Sequence, residues 1–359
     1  MARRRQAVTI KHVAADAGVS LQTVSRVINN EANVRPEMRE KVQASIDKLG
    51  YVPSIAAQRM SGSRSYLILA LNDRERTIAD WRARQGTDWV DQMLLGGMLE
   101  CAEHGYRLIF ELVDTHSDHV ERELGAAIAA LQPDGAILTP PHSDNPLILK
   151  TLAKHNIPFA RIGAQAVEEG LPQGICVSMD DEGGARLATR HLADLGHRRI
   201  AMISGPSEYR LAGTRVDGWR AEMAEAGLDS GRLLEAGDFT YASGVRAARA
   251  LLSRADRPSA IIASNDQMAL ATAEIAAELG LAIPADLSLV SFDNTPLVRF
   301  TRPPLTAVDQ PIAETTATAV RLLIAAQRGD ERVPEPLIIP MGFEVRGSTA
   351  APADCLQDS

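Results

Sequence analysis

Thr9-Ile10-Lys11-His12-Val13-Ala14-Ala15-Asp16-Ala17-Gly18-Val19-Ser20-Leu21-Gln22-Thr23-Val24-Ser25-Arg26-Val27-Ile28-Asn29-Asn30 is the stretch on which the reading of this chain turns. Gly18 lies between two segments of helix length, and a residue without a Cβ suits the tight turn between two short helices. Thr9 and Ser20 are N-cap residues for helices at 10–17 and 21–29. Ala14 and Ala15 are small enough for close helix contact, while Val13, Val19, Val24 and Val27 are placed to hold the pair together. Leu21, Gln22, Ser25 and Arg26 are left on the outer face. That face suits a major groove, because Gln can pair with adenine, Arg with guanine, and Leu can touch a thymine methyl. A plain helical hairpin would show the same capping and apolar spacing, so the surrounding charge has to separate the two.

The charge does so. The 359 residues carry a formal net charge of −8, which as one number argues against a polyanionic partner. Residues 1–64, however, hold 11 Lys+Arg against 5 acidic residues, a balance of +6 that leaves −14 on the remainder. A basic head on an acidic body is the asymmetry expected of a nucleic-acid-binding appendage. The helix-turn-helix is followed by Pro36, which suits a first helical position, and by Met38, Val42, Ile46 and Leu49 on one helical face, ending at Gly50. Residues 51–65 read as a linker with one short helix, 55–61, capped by Ser54.

Beyond residue 66 short apolar runs alternate with amphipathic stretches. Strands are expected at 67–71, 107–112, 135–139, 159–163, 174–178, 200–204, 260–264, 288–292 and 337–340. Helices are expected at 89–104, 121–131, 180–195, 213–226, 244–254, 267–279 and 312–328. This alternation predicts parallel sheets with right-handed crossovers, two doubly wound sheets, and a ligand outside the carboxyl ends of their strands. Cys101, Cys176 and Cys355 form no CxxC pair, and residues 6–16 after the Arg3–Arg5 cluster lack an apolar core, so a cytoplasmic protein without a leader is expected. No apolar run is long enough for a membrane span. None of the five lysines follows a glycine, and GxGxxG, HExxH and GxSxG are absent, so neither an enzyme nor a cofactor is expected. His142, His155 and His191 stand apart from partners at metal-ligand spacing, so no metal is expected either.

Taken with Leu49-Gly50-Tyr51-Val52-Pro53, Pro133-Asp134-Gly135, His191-Leu192-Ala193-Asp194-Leu195-Gly196-His197, Ser264-Asn265-Asp266-Gln267-Met268, Ser291-Phe292-Asp293-Asn294 and Pro303-Pro304-Leu305-Thr306, the opening stretch resembles the lactose-repressor (LacI/GalR) family of bacterial transcription regulators over residues 8–350. The resemblance implies an α/β protein: an all-helical headpiece at 1–50, a hinge helix and linker at 51–64, and two periplasmic-binding-protein-like subdomains. These are 65–178 with 308–336, and 179–307 with 337–350, followed by a tail, 351–359, whose lack of heptads argues against a coiled-coil tetramer.

The residues expected to meet DNA are Thr9, Ser20, Leu21, Gln22, Thr23, Ser25, Arg26, Asn29, Asn33, Ala57 and Met60, the last matching the family's hinge-helix wedge. Met60 stands where Leu is usual; it is either an apolar wedge for the minor groove or a packing residue between hinge helices. Carried over position by position, the family's effector contacts fall on Arg215, Phe239, Asn265, Asp293 and Gln310, with Trp89 a further candidate for stacking on a sugar. Asp266 is expected to cap the helix after it. The charged segment 72–88 is read as a long loop, either closing over the pocket or solvated. The implied partners are a pseudo-palindromic duplex operator, a mono- or oligosaccharide effector and a second copy of the chain, and the implied setting is the nucleoid. The competing expectation is a sugar-binding protein of periplasmic type with no DNA role.

Overall fold

The computed structural model describes residues 8–28, 33–51, 64–115, 119–164, 170–329 and 336–352. The expected hinge helix at 55–61, with Ala57 and Met60, lies outside them, as do Asn29 and Cys355. The chain divides into two compact units, Met1–Tyr66 and Leu67–Ser359.

The first unit holds three helices, Ile10–Ala17, Leu21–Ile28 and Pro36–Leu49. Both expected caps form. The Thr9 N–H donates to His12 Nδ1 at 3.0 Å, and the Thr23 N–H donates to Ser20 Oγ at 3.1 Å, satisfying helix-end donors that would otherwise lack partners. Gly18 has φ +65°, the left-handed turn that its lack of a Cβ permits. Val13, Val24 and Val42 are fully buried at the centre, with Val19 packed at the edge. Ala14 is buried and makes the close helix contact, whereas Ala15 faces solvent. Asp16 clips the first helix to the third by accepting from Ser45 Oγ and, at 2.8 Å, from Lys48 Nζ.

The second unit is built on two six-stranded sheets. In chain order the strands are β1 (Leu67–Asp73), β2 (Arg107–Val113), β3 (Gly135–Leu138), β4 (Phe159–Ile162), β5 (Ile175–Met179), β6 (Ile200–Ser204), β7 (Leu234–Ala236), β8 (Ala260–Ala263), β9 (Ser288–Asp293), β10 (Thr306–Asp309), β11 (Leu337–Ile339) and β12 (Gly342–Glu344). The first sheet runs β11-β5-β4-β3-β1-β2 and is wholly parallel. The second runs β12-β10-β9-β8-β6-β7, with only β12 antiparallel. Every residue of β1 is buried, which is why its first five residues, 67–71, read as an unbroken apolar run rather than an alternating one.

Two subdomain boundaries differ from expectation. β10 lies entirely in the second sheet, so the chain returns to the first after Asp309, not after residue 307. β11 pairs with β5 in the first sheet, so residues 337–339 do not belong with the second, and the last crossing follows Ile339. Residues 74–83 are also not loop. Arg74–Ala83 is a helix whose N-cap Asp73 accepts from the Arg76 N–H at 2.7 Å, and Arg76 Nε pairs with Asp80 at 3.2 Å one turn on.

The Asp88–Glu103 helix packs so closely on the Ile312–Arg328 helix that a Cβ on Gly96 would lie 1.9 Å from the Ala313 carbonyl oxygen. A backbone atom cannot step aside as a side-chain tip can. Gly96→Ala should therefore lower the unfolding free energy by about 1–3 kcal/mol. Gly213→Ala, in open space within the Arg210–Glu225 helix, should be neutral or stabilising by up to about 1 kcal/mol. Urea midpoints of the two variants check both.

Candidate functional site

On the helical unit, Leu21 is 45% exposed, and Gln22 and Arg26 are exposed beside it. Ser25 and Thr23 are half-buried, and Thr23 is tied to the cap by the 2.9 Å contact between its hydroxyl and that of Ser20. Thr9, Ser20 and Asn33 are exposed at the ends of the helices. One helical face thus presents an amide, a guanidinium and an apolar tip together. Asn29, Ala57 and Met60 lie outside the described residues.

In the larger unit the strand ends of both sheets meet around a cavity of about 140 Å³. Trp89, Arg215, Phe239, Asn265, Asp293 and Gln310, scattered over more than 200 positions, all line it. Each occupies a place that parallel topology creates. Phe239 follows β7, Asn265 follows β8, Asp293 ends β9 and Gln310 follows β10.

Arg215 is 2% exposed and forms the floor. Its Nε donates to Asp181 Oδ1 at 2.7 Å, a second nitrogen donates to the Ser264 carbonyl at 2.5 Å, and the guanidinium lies 4.5 Å from the Phe292 ring centroid. Burial pushes the Asp181 carboxyl up from its ordinary value, and the Arg215 charge opposes that shift. Asn265, not Asp266, caps the helix: its Oδ1 accepts from the Met268 N–H at 3.0 Å, and Asp266 is already the first helical residue. Asp266 instead accepts from Ser291 Oγ and, at 2.7 Å, from the Thr295 N–H. Asn265 Nδ2 also donates to the Phe239 carbonyl at 2.9 Å, steadying a non-glycine residue with φ +66°. The Phe239 ring sits edge-on to Tyr209 at 5.7 Å in space that exists because residue 205 is glycine.

Asp293, with φ +89°, accepts from Gln310 Nε2 and, at 3.4 Å, from the Asp266 N–H. Burial pushes both Asp266 and Asp293 above the ordinary carboxylate range; the charge of Asp293 adds to the shift at Asp266, while Arg215 restrains it at Asp293.

The cavity has a further wall from the segment 72–88, for which closing over the pocket and solvation are the two expectations. Asn72, Asp73, Arg76 and Asp80, from the end of β1 and the helix after it, line the cavity, although none of the four is singled out individually by the sequence. Arg76 reaches the other sheet's side of the cleft, donating to the Asp238 carbonyl at 2.8 Å and lying 5.9 Å from the Phe239 ring centroid. The available signals were the acidic residue at the end of an apolar run and the Arg76/Asp80 spacing of four. Among the described residues no group of three or more His, Cys, Asp or Glu could hold a metal ion, and no helix is long and apolar enough to cross a membrane.

The sequence profile of bacterial regulatory proteins of the lacI family matches residues 9–54, and that of the periplasmic binding protein-like domain matches residues 189–349. The HTH-type transcriptional regulator CelR of Thermobifida fusca is 33% identical over 96% of this chain and 99% of its own. The chain belongs to the lacI family. The lactose operon repressor of Escherichia coli (strain K12) is 30% identical, over 96% of this chain and 91% of its own. A solved CelR–cellobiose complex superposes with a TM-score of 0.71 at 32% identity, over 95% of this chain and 99% of that one. The lac repressor dimer bound to operator and the anti-inducer ONPF gives a TM-score of 0.75 at 28% identity, over 96% and 100%. This lacI-family chain is accordingly a transcription regulator and not an enzyme.

Because Arg215 is pinned on protein acceptors, its removal would strand the Asp181 carboxylate in the core. Arg215→Ala should cost about 3–5 kcal/mol of stability, whereas Asp293→Asn should cost less than about 1.5. Chemical denaturation of the two variants distinguishes a floor residue from a wall residue.

Proposed function

We propose that this lacI-family regulator represses carbohydrate-utilisation genes, binding a pseudo-palindromic operator as a homodimer with an affinity set by a small saccharide held in the cleft. The observation that carries the reading is the convergence of Trp89, Arg215, Phe239, Asn265, Asp293 and Gln310 on one cavity. Ring faces from Trp89 and Phe239 suit the apolar side of a pyranose, while carboxylate and amide groups suit vicinal hydroxyls. That CelR is described with cellobiose supports the same ligand class.

The exposed face of the first unit supports the DNA role over a sugar-binding protein without one. Leu21 can meet a thymine methyl, Gln22 an adenine edge and Arg26 a guanine edge. Homodimerisation is supported by Leu95, Met98 and Leu99, which are 48%, 57% and 64% exposed along the Asp88–Glu103 helix. A nucleoid-associated, cytoplasmic setting follows from the same reading. Saccharide binding across the two sheets changes their relative disposition and so biases operator affinity; reciprocity then requires operator to change saccharide affinity by the same factor.

Three measurements test this. Duplexes selected from a randomised pool by the full chain should be bound by Arg26→Ala with discrimination reduced by about 1–3 kcal/mol; unchanged discrimination removes Arg26 from base reading. Asp293→Ala should bind the selected duplex normally and fail to respond to a saccharide that shifts the parent. Raised carboxyl groups take up protons earlier than ordinary ones and then accept from hydroxyls more weakly, because the charge that strengthens the bond is lost. Saccharide affinity should therefore fall as pH is lowered from about 8 to about 5, a window above the ordinary Asp value, and the fall should be weaker in Asp293→Asn. Calorimetric titration at each pH reads this directly.

A further inference from the structure

The cleft's polar groups do not balance in charge. Its two arginines are already engaged by the protein. Arg215 is paired with Asp181, and Arg76 with Asp80 and the Asp238 carbonyl. Asp73, Asp88, Asp266 and Asp293 remain, and of these Asp88 and Asp293 face the cavity from the first-sheet and second-sheet sides. Among the described residues neither Asp88 nor Asp293 forms an ion pair with Lys or Arg. Burial pushes both carboxyls above their ordinary range, and the charge of Asp88 adds to the shift at Asp293. Asp88 stands on the first turn of its helix, where the N-terminal end of the helix favours its ionised form.

A second observation indicates which atoms the occupant must offer. Asn72 and Gln310 are 3% and 7% exposed and line the cavity. Asn72 Oδ1 accepts from Thr139 Oγ1 at 3.0 Å and Gln310 Nε2 donates to Asp293, yet Asn72 Nδ2 and Gln310 Oε1 have no hydrogen-bond partner among the described residues. A buried amide atom without a partner is costly, so the cleft is poised for a molecule that accepts from Asn72 Nδ2 and donates to Gln310 Oε1. A hydroxyl does either. A phosphate or carboxylate only accepts, and would bring a like charge towards Asp88 and Asp293 without finding a cation free to receive it.

We infer that the cleft selects uncharged, hydroxyl-donating saccharides and rejects their anionic derivatives, with Asp88 and Asp293 as the charge filter and Asn72 and Gln310 as hydroxyl partners. This inference rests on the saccharide reading above and narrows it to one charge class.

The test uses the full-length protein. Neutral mono- and disaccharides, sugar phosphates and uronic acids are screened by thermal shift, and for each neutral binder the uronic acid is compared by calorimetry with its uronamide, which has nearly the same size and no charge. At about pH 8 the acid should bind at least about tenfold more weakly than the amide, and the gap should shrink severalfold in Asp88→Asn. An acid that binds as tightly as its amide, or a protein stabilised by anionic sugars alone, overturns the charge filter and leaves the saccharide reading standing. A gap unchanged in Asp88→Asn overturns the role given to that carboxylate. If no saccharide of any charge raises the melting temperature, the saccharide reading itself falls, and this inference with it.

Discussion

A guanidinium removed from water holds the cleft together. Stripping Arg215 and Asp181 of solvent costs several kcal/mol for each ion, a cost tolerable only where geometry is good and other polar positions are filled. Here the 2.7 Å contact to Asp181 ties the Asp181–Asp194 helix to the Arg210–Glu225 helix. The bond to the Ser264 carbonyl fixes the end of β8, immediately before the residue that caps the next helix. That residue is Asn265, whose amide in turn holds the Phe239 carbonyl. One buried charge thereby sets the direction of a ring more than twenty positions away in sequence.

The strained positions of the second sheet belong to the same design. Phe239, Asp293 and Asn294 all have positive φ, a conformation that costs a residue with a Cβ about 1–3 kcal/mol and persists only where neighbours impose it. For Asn294 the neighbours are identifiable: its Nδ2 donates to Asp309 Oδ1 at 2.7 Å and its Oδ1 accepts from Arg346 at 2.6 Å. Asp309 ends β10 and Arg346 follows β12, so the last crossing of the chain locks the loop that aims Asp293 into the cleft. This explains why the antiparallel edge strand matters to a site it does not line.

The legibility of the sequence follows the same physics. Parallel strands announce themselves as apolar runs, and nine are legible in this way, including β2 and β11, which are only partly buried. β7, β10 and β12 are three or four residues long, and their pairing partners rather than their own composition make them strands. The helix at Arg74–Ala83 was hidden because it is charged, with only Thr77 buried, so no apolar stripe betrayed it. Five of the six cleft residues were reached by resemblance, since nothing in their local periodicity distinguishes them from neighbours; Trp89 was reached as an aromatic residue beside the charged segment 72–88. The exchange of roles between Asn265 and Asp266 was invisible for a further reason: either side chain can cap a helix, and the loop at Thr295 decides which does.

The acidic excess of the body, −14 beyond residue 64, can then be placed more narrowly than as a repellent surface. Part of it faces inward, with Asp88 on one side of the cleft and Asp293 on the other, and like charges on opposing walls resist approach. A ligand shifts such an equilibrium only by the difference in its interaction with the open and closed arrangements. Contacts confined to one wall are equal in both and shift nothing, however tight. If a saccharide is the occupant, as proposed above, the groups that matter for switching are those it engages from both sheets at once: Asn72, Asp88 and Trp89 line the cavity from one, and Phe239, Asp293 and Gln310 from the other. On that proposal, a hydroxylated ring that donates to both carboxylates would offset their mutual repulsion as it closed the gap, and the free energy gained would be the free energy available to act on the operator.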